Sequence, residues 1–587
     1  MNQDTERYHR LRWWGLAAIS VAVALIIMDS TIVSVAVPSI VESLDLTTTE
    51  IQWVQEVYTL VFAALLMVWG TTSDRLGRRR LLVLGVVVFV ASSILCAFAV
   101  DGTWLIAARA LQGVGGSMIL PTTLALLNAT FRGKERGIAF AVWGATIGSM
   151  AAVGPVLGGW LTSAFSWHWA FWINLPFGIL VIIGVMICVP ESRQRDAERF
   201  SDWIAVGTSV LGFGLLVFAL IEGRAYGWWE ATDSAPFSLG GFSVIPVLFV
   251  LSLLVLASLV WRERKRVAAR KSVLIDVSLF RIGTFANGNI TALTVSLGEF
   301  GLILSLPLWF QYARDMNALE AGLALLPLAV GSFLASGSIQ SLSKRLSPVQ
   351  MVRLGVLLEI ISLAALALLI RPDSTLWVTG VPLFFYGMGV GFATAQLTQL
   401  ILIDVPVEKS GQASSVQSTS RQVGSALGIA VLGTALFTTL RIGTESRLSD
   451  QIAADPKVGE LVDAVSTSAG ALIGQLSEKP ATAPIADAAR DALTQGVSVA
   501  AWVAVAALFV GLLTTIPLGR RASEEMAAGN AREGGAEPTS RGGDAEPTRG
   551  NGADPTTRRG SRPTSSRGGA TPTTRGGATP TGEASEV

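Results

Sequence analysis

The sequence has almost none of the residues that build disulfide frameworks or metal sites. Its 587 residues include two cysteines, Cys96 and Cys188, and two histidines, His9 and His168. Both cysteines lie inside apolar runs. Two cysteines are too few for a disulfide framework or a structural zinc site, and with so few histidines we expect no metal site.

Charged residues are also scarce in this sequence. Charged residues make up 15% of the chain and the net charge is +1, whereas soluble domains carry about 25% charged residues. This balance gives no reason to expect a nucleic-acid partner, because the arginines lie in short loops. The mean hydropathy is +0.54, and many apolar runs reach the roughly 20 residues that a helix needs to cross a bilayer. We therefore predict an all-α polytopic membrane protein.

Fourteen apolar runs are long enough to span a membrane. They lie at about 14–37, 51–70, 81–100, 103–127, 137–164, 169–189, 203–222, 240–261, 285–311, 318–341, 350–370, 376–403, 411–439 and 497–518. The first run follows three arginines, as a signal peptide would, but it is longer than the usual apolar segment of one and no small-residue cleavage site follows it. We expect it to be retained as the first span.

Basic residues alternate between loops. Lys and Arg are frequent in the N-terminal arm (1–13) and in the loops at 71–80, 128–136, 190–202 and 262–284, while 38–50 and 101–102 have none and 312–317 has only Arg314. A fourteen-span chain places every basic loop on one face of the membrane. By the positive-inside rule, we expect a plasma-membrane protein with both termini in the cytoplasm.

Short sequence matches recur at a nearly constant offset. LLVLG at 81–85 corresponds to MVRLG at 351–355, and SDRLG at 73–77 to SKRLS at 343–347. The spacing predicts two six-span bundles, 14–189 and 285–518. Between them lies a linker, 190–284, that carries two extra spans at about 203–222 and 240–261.

Five motifs resemble those of one transporter family. GTTSDRLGRRR (70–80), RALQGVGG (109–116) and GPVLGG (154–159) are similar to the second-loop, fourth-span and fifth-span motifs of the major facilitator superfamily. MDSTIVSVAVPSI (28–40) and WHWAFWINLPFG (167–178) resemble signatures of its fourteen-span drug:proton antiporters. Two departures stand out. Ser34 replaces the family's usual Asn, and Ala141 and Met150 replace the glycines upstream of GPVLGG.

The resemblance implies a major facilitator fold and proton-coupled efflux by alternating access. The expected partners are a small amphiphilic substrate, protons and membrane lipid, and no nucleic acid. We expect a monomer that uses the proton gradient and no cofactor. Two other transporters remain open: a dedicated exporter of one endogenous metabolite or antibiotic, and a nutrient importer, which would share the loop motifs but not GPVLGG. An enzyme or sensor would need a catalytic cluster or a soluble output domain, and the sequence offers neither.

Charged residues inside the spans are the candidates for proton coupling and for the substrate cavity, because a buried charge costs at least ~2.5–3.5 kcal/mol at mid-membrane. Asp29 lies about 21 Å from the cytoplasmic end of the first span, at a rise of about 1.5 Å per residue. Glu299 occupies the position that the repeat offset assigns to Asp29. Arg109, in the fourth-span motif, and Glu56, near the outer end of the second span, complete the set.

Two motifs suggest conformational roles. In the loop motif, Gly70, Asp74, Arg75, Gly77, Arg78 and Arg79 match the family. Its glycines permit a tight turn, and Asp74 can pair with an arginine and a helix terminus to form a latch between the bundles. In the fifth span, Gly154, Pro155, Gly158 and Gly159 suggest either close packing between the half-bundles or a sealed outer gate that works through such packing.

The remaining expectations concern the cavity lining and two polar segments. Aromatic and amide residues that could line a cavity, or anchor span ends at the interface, are Trp53, Tyr58, Trp143, Phe310, Gln311, Tyr386, Gln396 and Gln399. The loop 441–495 is predicted to be external and to form short amphipathic helices. The Arg-, Gly-, Thr- and Pro-rich segment 519–587 is predicted to be a disordered cytoplasmic tail.

Overall fold

A computed structural model gives the architecture of residues 3–46, 48–192, 202–232, 235, 237–468 and 470–518. The predicted tail at 519–587 and most of the basic loop at 190–202 lie outside these described residues. Thirteen helices of the described part are long and apolar enough to cross a membrane, and a bent helix pair in the fifth span makes a fourteenth. The predicted all-α, fourteen-span fold is confirmed.

The N-terminal half contains seven helices that form six spans. They are α1 (Gln3–Leu44), α2 (Thr48–Leu76), α3 (Arg78–Ala97), α4 (Gly102–Thr130), α5 (Gly133–Ala164), α6 (Trp169–Trp172) and α7 (Asn174–Cys188). The fifth span bends by 42° between Met150 and Val153. Pro155 lies just beyond the bend, where it removes an intrahelical hydrogen bond and clashes with the preceding turn.

The inserted region consists of α8 (Trp203–Glu222), two short strands and α9 (Ile245–Ala268). Strands β1 (Ser238–Leu239) and β2 (Phe242–Ser243) pair antiparallel. Gly240 and Gly241 connect them with φ values of 63° and 94°, which other residues rarely adopt. This hairpin is the only sheet in the described part of the chain.

The C-terminal half repeats the six-span arrangement with more breaks. It contains α10 (Gly283–Leu308), which continues into a π-helical turn (Trp309–Ala313), α11 (Ala318–Ala324), α12 (Leu326–Leu342), α13 (Pro348–Leu369), α14 (Leu376–Leu402), α15 (Ser410–Arg447) and α19 (Ala483–Thr514). Three short helices lie before the last span: α16 (Ser449–Ala454), α17 (Pro456–Thr467) and α18 (Ile473–Ser477).

The segment expected to be a loop at 441–495 is largely helical at both ends. Helix α15 continues to Arg447 and α19 begins at Ala483. The connection between these two helices is therefore shorter than the loop 441–495 that was predicted from the apolar runs. Val462 of this connection is buried together with Ile485 of α19. Apolar runs mark the part of a helix that lies in lipid, and these two helices extend beyond that part.

Close backbone contacts on α5 correct one expectation. A Cβ atom on Gly154 would collide with Thr31, and one on Gly158 would lie 3.1 Å from the Ile32 carbonyl oxygen. Both partners belong to α1, so the GxxxG pair packs α5 against its own half rather than against the other half. On α5, Gly144 and Gly148 face the other half at Ala395 and Ser332, and Gly322 of α11 packs against the backbone at Pro155 and Val156.

We predict that Gly154→Ala destabilises the N-terminal half by about 1–3 kcal/mol, the usual cost of overpacking a core. The added methyl group has no room against Thr31. Thermal unfolding of the detergent-solubilised protein measures the change. Gly207→Ala is the matched control, because nothing lies within 4 Å of a Cβ at this mid-helix glycine of α8. Equal melting temperatures for the two variants would contradict the proposed α1–α5 contact.

Candidate functional site

A buried ion pair lies at the centre of the N-terminal half. Asp29 of α1 accepts a hydrogen bond from Arg109 Nη1 of α4 at 2.7 Å, and the exposed side-chain fractions of the two residues are 0% and 2%. Sequence analysis selected both residues but did not pair them. An ion pair at this depth must be almost fully hydrogen-bonded to be tolerated.

Neutral donors complete the Asp29 site. Gln112 Nε2 and Asn174 Nδ2 each donate to Asp29 Oδ1 at 2.7 Å, and both also donate to the Ser93 hydroxyl. Helices α4 and α7 therefore supply the donors to Asp29, and α3 supplies the Ser93 hydroxyl that orients two of them. Sequence analysis did not select these three residues, although Gln112 lies in RALQGVGG and Asn174 in WINLPFG.

Arg109 has further contacts that fix its position. Its Nη1 donates to Gln112 Oε1 at 2.6 Å and its Nε donates to the Val54 carbonyl at 3.3 Å. Its guanidinium lies 4.4 Å from the centre of the Tyr58 ring, a distance typical of a cation–π contact. Tyr58 thus contacts the predicted coupling residue directly.

The C-terminal half contains a second carboxylate–arginine pair. Glu299 of α10 lies 3.3 Å from Arg421 Nη2 of α15 and accepts a hydrogen bond from the Thr394 hydroxyl at 3.2 Å. The Tyr386 hydroxyl donates to the Glu299 backbone carbonyl at 3.4 Å. The two halves therefore place corresponding carboxylates beside arginines, but Arg109 comes from the fourth helix of its half and Arg421 from the fifth.

A third buried acid, Glu359 of α13, was missed by sequence analysis. Its exposed fraction is 0%, and neither carboxyl oxygen has a hydrogen-bond partner among the described residues. It lies within electrostatic reach of Glu299 and Arg421. The signal was present, because Glu359 interrupts the apolar run VLLEIISL.

Glu56 pairs with a residue of the inserted region. Its carboxyl group lies close to that of Glu222 at the end of α8, and two buried carboxyl groups this close repel each other when both are ionised. Arg224 lies near Glu56, and its guanidinium stacks 4.3 Å from the Phe437 ring of α15. This cluster joins α2, α8 and α15.

The loop motif forms a connection between the halves. Asp74 Oδ1 accepts hydrogen bonds from Arg78 Nη2 at 2.7 Å and from the Gly411 backbone N–H at 2.9 Å, and its Oδ2 accepts one from the Gln412 N–H at 3.2 Å. Gly411 and Gln412 lie in the first turn of α15, where free N–H groups favour an anion. We call this contact the Asp74 latch.

The other motif residues support the Asp74 latch. Gly70 packs directly against Gly411, and Gly77 has a φ of 111°. Arg78 Nη2 also donates to the Val407 carbonyl at 2.7 Å, and the Arg79 N–H donates to Glu191 at 3.1 Å. Arg75 is half-buried.

The linker that follows α9 contacts α2 and the start of α15 beside the Asp74 latch. The Thr71 hydroxyl donates to the Leu274 carbonyl, and Asp276 forms an ion pair with Lys409 at 2.5 Å. Burial raises the pKa of Asp276, but the Lys409 ammonium and hydrogen bonds from Ser278 outweigh it and hold the pKa below its usual value. This ion pair therefore persists at neutral pH and weakens only in acid.

The predicted cavity-lining residues differ in their surroundings. Trp143, Phe310, Tyr386 and Gln396 are buried, and Gln396 Nε2 has no partner in the described structure. Trp53 stacks on Phe218 of α8, with ring centres 6.1 Å apart, and Gln311 donates to the Pro307 carbonyl at 3.3 Å. Their role as cavity lining stays a prediction.

A cavity of about 400 Å³ lies where α5 crosses α12. Ala141 and Met150, the two positions that depart from the family's glycines, both line it, together with Ser149, Phe333 and Gln340. Glycine at these positions would enlarge the space between the two halves, so the departures reduce the volume of this cavity.

Comparison with known proteins identifies the family. Residues 19–429 match the family model described as Major Facilitator Superfamily. The chain belongs to this superfamily. The membership predicted from the five motifs is thereby confirmed, and the chain is a multi-pass membrane protein.

Several curated relatives are exporters. The chain is 32% identical over 439 residues to the probable actinorhodin transporter of Streptomyces coelicolor, covering 73% of this chain and 72% of the relative. It is 31% identical over 505 residues to the multidrug efflux pump LfrA of Mycolicibacterium smegmatis, covering 85% and 95%. The crystal structure of the human organic anion transporter MFSD10 has a TM-score of 0.55 at 12% identity, covering 86% of this chain and 99% of that one, which supports the fold alone.

We predict that Asp74→Asn slows transport while substrate affinity stays nearly unchanged. Asn retains one acceptor oxygen but loses the charge that attracts Arg78 and the α15 N–H groups, and hydrogen bonds to charged groups are worth about 1.5–3 kcal/mol each. Transport rate and equilibrium binding are the two measurements. Glu408→Gln, which neutralises an exposed carboxylate next to the latch, is the control. Equal losses of affinity and rate in Asp74→Asn would place the residue in the substrate site.

Proposed function

We propose that this protein exports amphiphilic drugs or antibiotics in exchange for protons, by alternating access and without a cofactor. The observation that carries the proposal is the buried Asp29–Arg109 pair. Arg109 is the only charged side chain bonded to Asp29 in the described part of the chain, so protonation of Asp29 leaves one uncompensated positive charge. The similarity to a multidrug efflux pump supports the direction of transport, and together with the similarity to a probable actinorhodin transporter it supports the substrate class.

The Asp29–Arg109 pair suggests how a proton is exchanged. When a proton from outside binds Asp29, the carboxyl group becomes neutral and its attraction to Arg109 falls. Arg109 keeps its contacts with the Val54 carbonyl and the Tyr58 ring. These two contacts stabilise its charge while Asp29 is neutral. When the proton leaves toward the cytoplasm, the ion pair forms again. The charge state of Asp29 thereby selects between two arrangements of α1 and α4.

The Asp74 latch accounts for the alternation of access. It joins α2 of one half to α15 of the other through a charged acceptor and backbone N–H groups. Such a contact forms or breaks as a unit, so it favours one closed state without holding it permanently. In the orientation predicted from the basic loops, the latch closes the cytoplasmic side.

A dedicated exporter of one endogenous compound is the second candidate. The specific observation in its favour is the similarity to relatives named for a single antibiotic, actinorhodin in one and puromycin in another. An efflux panel of chemically unrelated substrates separates the two: a broad exporter moves several of them, and a dedicated exporter moves one.

We predict that the connection between α15 and α19 is external and that the segment 262–284 is cytoplasmic. Both native cysteines are buried, so a membrane-impermeant thiol reagent reports inserted cysteines. In intact cells it should label Ala481→Cys and leave Ala269→Cys unlabelled until the cells are opened. Both positions are exposed alanines, which makes them a matched pair. Labelling in the opposite order would invert the topology.

We predict that Asp29→Asn abolishes proton-driven efflux, because the amide keeps the shape and one acceptor oxygen but cannot carry a proton. Glu299→Gln tests the C-terminal pair in the same way. Efflux is measured with and without an uncoupler, at equal amounts of inserted protein. A loss confined to cationic substrates would assign the residue as a counter-ion, whereas a loss for neutral substrates as well assigns it to proton transport.

Removing one partner of a buried pair also costs about 3–5 kcal/mol through the unpaired charge. The double variant Asp29→Asn with Arg109→Gln is therefore the control, since it removes both charges. If the double variant is inserted normally and still cannot couple efflux to protons, instability is not the cause. A variant that carries both Asp29→Asn and Glu299→Gln is the last test. If it exports cationic and neutral substrates at the wild-type rate, another residue couples efflux to protons.

A further inference from the structure

Glu359 of α13 packs closely against α14. Its exposed fraction is 0%, and a Cβ atom on Gly389 of α14 would lie 2.7 Å from its Cγ. The glycine thus lets α14 approach the acid closely. Despite this packing, both carboxyl oxygens lack a hydrogen-bond partner in the part of the chain that the structure describes. Asp29, by contrast, has three donors.

The charges around Glu359 do not balance if both nearby acids are ionised. Glu299 of α10 and Arg421 of α15 are the charged groups that act on it, and Tyr386 of α14 is the neighbouring titratable group. Helix α19, which also packs against α13, has no titratable residue from 492 to 514. On α13 itself, Arg353 is bound to Thr515. Among the described residues, Arg421 is thus the only cation that acts on Glu359, and Glu299 already pairs with it.

We propose that Glu359 is a second proton-carrying group of the transport cycle, held as a neutral acid beside the Glu299–Arg421 pair. A buried carboxylate without a donor or a cation of its own is strongly disfavoured, and the neutral acid avoids that penalty. This inference rests on the proposed function and adds a proton site that is separate from Asp29 and lies in the other half of the protein.

The release step follows from the same geometry. The O–H bond of Glu359 breaks, the proton passes to water, and the remaining carboxylate shares Arg421 with Glu299. Buried polar atoms without partners continue from this cluster toward the start of α15: Gln417 Oε1, Ser418 Oγ and Ser414 Oγ. Together with Arg421 they follow a spacing of three to four residues, which places them on one side of α15. Such atoms ordinarily bind water, and this water would take the proton toward the Asp74 latch.

The first test measures the proton directly. Infrared spectra of the full chain in lipid nanodiscs report the C=O stretch of protonated carboxyl groups. We expect Glu359→Gln to remove a carboxylic-acid band that Glu299→Gln leaves in place. Glu359→Asp, which retains an acid, should keep a shifted band and guards against a folding defect in the Gln variant. Any other protonated carboxyl group contributes a band of its own, so each variant is compared with the wild type. A band unchanged by Glu359→Gln would overturn the proposal.

The second test measures coupling in proteoliposomes. Because Gln imitates the neutral acid, Glu359→Gln should carry fewer protons per substrate than the wild type, while efflux down a substrate gradient persists. If the proton ratio is unchanged and affinity for cationic substrates falls instead, Glu359 is a counter-ion and the proposal is wrong. If the wild-type protein moves no protons at all, the proposed antiport fails, whatever the infrared result, so the two failures are distinguishable.

Discussion

A charge inside this bundle has no bulk water to stabilise it, and the arrangement of the helices follows from that constraint. Asp29 is tolerated because Arg109, Gln112 and Asn174 converge on it from α4 and α7. These donors can converge only if α1, α4 and α7 keep their present rotations about their own axes. The Gly154 contact, which brings α5 against α1 at Thr31, supports the same rotation. The ion pair and the close glycine packing are therefore parts of one constraint.

The two halves meet this constraint to different extents. Asp29 in the N-terminal half accepts three hydrogen bonds, whereas in the C-terminal half Glu299 and Glu359 lie near one arginine and Glu359 has no hydrogen-bond partner among the described residues. A carboxyl group that accepts several hydrogen bonds is held in place, and one without partners leaves its polar atoms open to water, protons or a ligand. The internal repeat thus preserves the positions of the acids but not their environment, because Arg421 comes from a different helix of its half than Arg109 does.

Apolar runs, basic loops and repeat spacing were enough to predict the fold, because bilayer thickness and loop charge act on the sequence locally. The same reasoning selected Asp29, Arg109 and Glu299 as charges within spans. It could not supply their partners, since a partner depends on how neighbouring helices rotate, which the pattern of one helix does not contain. Glu359 was missed although the same rule applied to it. The Gly154 contact was assigned to the wrong partner for a related reason: a GxxxG spacing shows that some helix packs closely, but not which one.

The position of the inserted helices has a consequence for the gate. Their linker contacts both sides of the Asp74 latch, through Thr71 on α2 and through Lys409 and Gln412 at the start of α15. At the end of α8, Glu222 pairs with Glu56 of α2, and Arg224 stacks on Phe437 of α15. The insertion thus contacts the same two helices at two places, between its two spans and after the second one. If α2 and α15 separate at the latch, contacts at one end or the other must break. The two extra spans therefore take part in the interface between α2 and α15 that changes during transport. The energy of their contacts adds to the barrier between the two states.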